Sequence, residues 1–225
     1  MPYVPSMKTD GKSQDRVVID AAVEVLAKEL VALNSSNFKV LENYRTAFNS
    51  IGDCLVDLVQ HPEHEVKSSF AKVIFDVGAK YNYEGAFLGE LNYGITRLIQ
   101  RVPQLTVESG KWPKKDEIRY WLYAMTVEAL IATANTFSTS GLGIGGVFED
   151  IEDEYKRRVN PSYEAAQIVK SGDCFDTPYY NRLVRVVDES GKEIGKFLLD
   201  MPRSEETLHK DVLDGEIVLR TKVKA

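Results

Sequence analysis

Apolar side chains recur at three- and four-residue steps through most of this chain, and that period decides its fold class before anything else does. Phe38, Leu41, Tyr44, Phe48, Ile51, Leu55 and Leu58 keep the step without a break, the spacing of side chains on one face of an α-helix. Phe87, Leu88, Leu91, Ile95, Leu98 and Val102 repeat it, as do Ile118, Trp121, Leu122, Met125, Ala129, Leu130 and Thr133. A strand alternates with period two, so none of these segments could turn a single apolar face inward as a strand. The body of the molecule is therefore expected to be helices packed through these faces.

Breaks in the pattern set the element boundaries. Ser13 to Leu33 reads as a first helix, with Val18, Ala21, Ala22, Val25, Leu26 and Leu30 as its apolar stripe, and Asn34-Ser35-Ser36-Asn37 interrupts it. The second helix, from Phe38, stops at His61-Pro62, because proline disfavours helical geometry in the residue before it. A third starts at about Glu63 and ends near Gly78; a fourth runs from about Glu84 until Pro103 stops it. Lys115 to Phe137 forms a fifth, and the joint from Ser138 to Gly146 leads to a sixth from Val147 to Val159. Beyond Pro161 the period changes. Arg182 to Val187 and Ile194 to Leu199 flank a short polar loop as a hairpin, Glu216 to Val223 alternates as a third strand, and Ser204 to Leu213 reads as a short helix capped by Ser204. The expected architecture is mainly α: a bundle of about six helices over residues 1–170, with a small antiparallel β appendage over 171–225. So small a sheet is marginal by itself, so it should pack on the bundle or on a partner chain.

Composition narrows the function classes. With 44% hydrophobic and 28% charged residues in 225, the chain suits a soluble globular protein with a substantial core. A net charge of −6 argues against phosphate backbones and anionic membranes as partners. Cys54 and Cys174 stand too far apart for a metal knuckle and too few for a disulfide framework, which suggests a reducing compartment. With no long apolar run and no leader-like start, the expectation is a cytoplasmic protein without a membrane span.

Four clusters could carry chemistry. Gly141-Leu142-Gly143-Ile144-Gly145-Gly146 has the spelling of a dinucleotide loop, but a helix rather than a strand precedes it, so a tight helix-to-helix joint is the better reading. His61-Pro62-Glu63-His64-Glu65 gathers two imidazoles and two carboxylates; with a proline between them and the i, i+4 spacing missing, the rings need not converge, and a polar helix start with Glu63 and Glu65 complementing the macrodipole is the better reading. Trp112, Tyr120, Trp121 and Tyr123, at helical spacing, read as core or interface. Glu149-Asp150-Ile151-Glu152-Asp153-Glu154 is the densest acidic run; read as a solvated face, its acids and the following Lys156-Arg157-Arg158 both complement the helix macrodipole. If Glu90 and Glu128 opposed Glu149 and Glu152, the four could instead hold magnesium, as facing carboxylates do in helical bundles.

Leu88-Gly89-Glu90-Leu91 is similar to part of the first metal motif of all-α NTP pyrophosphohydrolases of the MazG type. That resemblance implies a magnesium-dependent hydrolase, the alternative function carried here, although Phe87 and Ile131 stand where the family's further acidic ligands would be. A second resemblance is broader. Met1-Pro2-Tyr3, Gly89-Glu90-Leu91-Asn92-Tyr93 with Ile95-Thr96, Glu154-Tyr155-Lys156-Arg157-Arg158, Pro161 with Tyr163-Glu164, and Gly172-Asp173 resemble, in order and spacing, an uncharacterised family of small helical prokaryotic and phage proteins. It implies no activity. The residues themselves suggest a clasp between helices, Glu90, Asn92 and Tyr93 on one and Arg157 and Arg158 on another, since arginine's planar fork pairs well with carboxylate. The leading expectation is a non-catalytic structural or interaction protein without a cofactor, oligomeric or part of a larger assembly, with protein as its partner.

Overall fold

The structure, a computed structural model, describes residues 14–82, 85–110, 115–172, 183–188, 190–198, 212–213 and 216–220. Six helices and four strands occur among them. The helices are α1 (Gln14–Asn37), α2 (Val40–Gln60), α3 (Ser69–Ala79), α4 (Phe87–Glu108), α5 (Lys115–Phe137) and α6 (Ile144–Ser171). The strands are β1 (Leu183–Val187), β2 (Glu193–Leu198), β3 (Val212–Leu213) and β4 (Glu216–Arg220). The chain divides into two compact units, Met1–Arg157 and Arg158–Ala225.

In the first unit α1 packs on α4 and α2 on α5, while α3 lies against α1, α2 and α4. The apolar period is what they bury. Tyr44, Phe48, Ile51, Leu55 and Leu58 of α2, Leu91, Ile95 and Leu98 of α4, Phe70 and Ile74 of α3, and Phe148 of α6 are all withdrawn from solvent. At roughly 1.5–3 kcal/mol for each large side chain, this burial outweighs any local helix preference. No described helix is long and apolar enough to cross a membrane.

Several boundaries differ from expectation for physical reasons. α1 buries Ile19, Val23, Ala27, Leu30 and Asn34. Of the six residues read as its stripe only Leu30 is buried, and Val18 and Val25 are exposed. A helix apolar on two sides satisfies the period on both, so the period does not choose between them. Phe38 is 65% exposed with φ at 56°, and α2 begins after it at Val40. α3 starts at Ser69, not near Glu63, with the Ser68 hydroxyl accepting the Ala71 amide at 3.2 Å as its cap.

Of the two prolines expected to end helices, Pro62 follows the end of α2 but Pro103 lies inside α4; α6, expected to end at Val159, likewise runs on through Pro161. An interior proline costs about 3 kcal/mol. Past Pro103, α4 still buries Thr106 and half-buries Leu105 and Val107, burial on the same scale as that cost. α6 also begins three residues early, at Ile144, inside the glycine-rich joint.

In the second unit β1 and β2 form the expected antiparallel hairpin. Its turn is organised by Asp188, whose Oδ1 accepts the Ser190 and Lys192 amides at 2.9 and 3.0 Å, with Gly191 at φ 85°. β4 adds to the other edge of β1 in parallel and β3 pairs antiparallel with β4, giving the order β2-β1-β4-β3. Val212 and Leu213, expected at the end of a short helix, are β3; the rest of that segment lies outside the described residues.

Candidate functional site

The Gly89–Thr96 motif falls on the first turns of α4, and its Tyr93 faces α1. Tyr93, Arg97 and Arg101 stand four residues apart and so share one helix face; Asp20 and Glu24 do the same on α1. The Tyr93 hydroxyl donates to Asp20 Oδ1 at 3.1 Å, and Arg97 Nε reaches the same oxygen at 3.3 Å. Arg101 grips Glu24 with two nitrogens, at 2.8 and 3.3 Å, and reaches Glu108 at 3.1 Å. The Arg101 and Lys28 cations hold the Glu24 carboxyl down to about 2. Arg16 adds its guanidinium 5.2 Å from the centre of the Tyr93 ring.

At the N-terminal end of α1, Asp15 accepts hydrogen bonds from Lys80 Nζ and the Tyr81 hydroxyl, both at 2.7 Å. The Lys80 bond is the main cause holding the Asp15 carboxyl below its ordinary value. Partly exposed pairs of this kind are worth roughly 0.2–1 kcal/mol each, so the ladder sets the register of α1 on α4 more than it stabilises the unit. Asp15, Asp20, Glu24, Lys80, Arg97 and Arg101 were not among the expected site residues. Their signal was available: opposite charges at four-residue steps on two segments both read as helices.

Glu90 behaves differently. It is 2% exposed, and its Oε2 has no hydrogen-bond partner among the described residues. Burial, with a smaller repulsion from Asp15, pushes its carboxyl above the ordinary range. Asn92 beside it is half-buried.

The second motif lies on α6. Arg157 forms a two-pronged bond to Glu154 one turn away, both contacts at 2.8 Å and exposed. Lys156 pairs with the buried Glu152, and Tyr155 packs on Tyr123 with ring centres 5.2 Å apart; burial raises the Tyr155 phenol. Arg158 belongs to the second unit. The expected clasp is thus replaced, for Tyr93 by Asp20 of α1 and for Arg157 by a partner on its own helix. A pair one turn apart forms with little loss of chain freedom, which favours it over a distant carboxylate.

The four acids of the magnesium reading are not gathered. Glu128 and Glu149 are exposed, Glu152 is taken by Lys156, and Glu90 is buried on α4. Among the described residues the metal-ligand atoms that do come together are those of His61, Glu63 and His64; the segment is not the polar helix start expected, since α3 begins at Ser69, and its two rings, which the spacing did not require to converge, stand close. Of the aromatic cluster, Trp112 lies outside the described residues; Tyr120 and Tyr123 stack at 6.3 Å within α5. Cys54 is a half-buried free thiol and Cys174 lies outside the described residues.

The glycine-rich segment serves as a joint. Gly141 and Gly143 adopt φ of 72° and 77°, and a Cβ on Gly145 would lie 2.8 Å from the Ala134 carbonyl oxygen, so side chains are excluded there by backbone conformation and by contact. The groove beside it, lined by Val59, Phe75, Phe87, Leu88 and Leu142 among others, presents no ionisable side chain among the described residues.

In comparison with known proteins, residues 1–174 match a family described as a domain of unknown function (DUF6899). No curated protein and no solved structure matches.

Proposed function

The chain belongs to the family of the domain of unknown function DUF6899, and from that premise we propose that it is a non-catalytic interaction protein whose first helix associates with a second copy of the chain. The observation that carries this reading is the outer face of α1. Val18, Val25 and Leu33 are 37%, 53% and 48% exposed and lie on one side of the helix, with Ala21, Ala22 and Ala32 between them and the exposed Glu29 interrupting the stripe one turn from Val25 and one from Leu33. The buried set of Ile19, Val23, Ala27 and Leu30 lies on the other side. An apolar stripe running along most of a helix is costly to leave in water, and small residues within it allow a second helix to approach closely. A second copy is favoured as occupant because a two-fold pairing matches the stripe to itself, and Lys28 and Glu24 beside it already pair within the chain.

The ion-pair ladder between α1 and α4 supports the same reading, since it fixes α1 in place without offering a catalytic constellation. The resemblance of the two motifs to small prokaryotic and phage proteins extends it: the pairing would build a component of a larger, phage or prokaryotic, assembly located in the cytoplasm or the virion. Size-exclusion chromatography with light scattering tests the proposal. The chain is expected to elute as a dimer or higher oligomer, and Val25→Glu with Leu33→Glu to convert it to a folded monomer. A monomer at every concentration, or an oligomer indifferent to both substitutions, overturns it.

A further inference from the structure

We infer that His61, Glu63 and His64 form a site for a divalent transition metal of the zinc class at the C-terminal end of α2. One ligand atom from each lies within 4.8 Å of the others. The backbone explains why. The His64 amide donates to the His61 carbonyl at 3.0 Å, closing a turn with Pro62 in its second position, where the ring's fixed φ suits it. That turn brings the two imidazoles to a ring-centre separation of 4.5 Å. Zinc holds nitrogen and oxygen donors at about 2.0–2.2 Å, so two ligands in a tetrahedron stand about 3.4 Å apart. All three side chains are exposed, so the imidazoles, stacked here with planes 23° apart, are free to rotate until their lone pairs converge on one ion.

A second observation points to a metal. Asp57, one turn back on α2, receives His64 Nδ1 on both carboxylate oxygens, at 3.1 and 3.3 Å. A proton held on Nδ1 by this carboxylate leaves the Nε2 lone pair as the ligating atom, the arrangement by which outer carboxylates fix the tautomer and raise the basicity of metal-bound histidine. Position adds to it, because the carbonyl end of α2 favours a cation. Two imidazoles and one carboxylate suit zinc, nickel or copper, whereas magnesium and calcium prefer oxygen alone. The site leaves a coordination position for water. Bound metal would tie the end of α2 to the segment leading into α3.

The test uses the full chain and zinc chloride. Calorimetry should show one zinc per chain and a raised thermal midpoint, since a ligand bound by the folded state stabilises it. His61→Ala with His64→Ala should abolish both effects while leaving the circular dichroism unchanged. Asp57→Asn, which keeps all three ligands, should weaken binding about 10–100-fold. The chain has three histidines, and zinc should shift the ring signals of two of them, leaving His209 unmoved. No zinc binding, binding that survives the double substitution, affinity unaffected by Asp57→Asn, or equal perturbation of all three rings overturns the assignment.

Discussion

A buried carboxylate oxygen without a hydrogen-bond partner works against the fold that contains it, and Glu90 Oε2 is such an atom among the described residues. Its raised pKa means that the folded chain holds the proton more tightly than the unfolded chain does. Its relative contribution is therefore best below the ordinary carboxylate range, near 4.5, and is lost as pH rises through the higher folded value. Glu90→Gln keeps the shape and removes the charge, so it should stabilise the chain at pH 7 by about 1 kcal/mol, with the difference shrinking near pH 4. Urea unfolding at both values measures this, and a variant less stable at pH 7 would show that a cation reaches the carboxylate. The sequence singled out Glu90 and Tyr93 but not their surroundings. A helix period places a residue on a face; it does not say that Asp20 meets Tyr93 while Glu90 Oε2 finds no hydrogen-bond donor among the described residues.

At the scale of elements, two glycines predict opposite results from the same substitution. A Cβ on Gly78 would lie 2.5 Å from the Phe87 Cα and 2.7 Å from its nitrogen, so the backbones of α3 and the start of α4 approach this closely only because Gly78 has no side chain. Gly78→Ala should therefore cost about 1–3 kcal/mol, as overpacking does. Gly146, inside α6 and exposed, has open space where a Cβ would stand. Gly146→Ala should gain up to about 1 kcal/mol from reduced chain freedom alone. Thermal unfolding of the two variants checks both signs. In the sequence Gly78 reads as a helix end, which it nearly is; its contact with Phe87 joins distant elements and leaves no local trace. Pro103 and Pro161 carry the same lesson in reverse, since local rules stop a helix that packing in the case of Pro103 keeps intact.

At the scale of the whole molecule, the buried apolar side chains among the described residues lie in the helices up to Tyr155, within the first unit, apart from Val187 of β1. A fragment of residues 1–172 is therefore expected to fold alone and to melt cooperatively near the midpoint of the full chain, as followed by circular dichroism; a gradual, non-cooperative loss of signal would show that the second unit is required. By itself the sequence determined that the body is helical, that six helices compose it, and that a hairpin follows, because side-chain period and turn chemistry are properties of neighbours along the chain. Tertiary structure alone decided which face of α1 is buried, which helix receives the α4 motif, that α4 continues through Pro103, and that His61 and His64 meet. Those outcomes depend on free energies of contact between residues far apart in sequence or across a turn, which outweigh local preferences of a few kcal/mol or less and which no local pattern encodes.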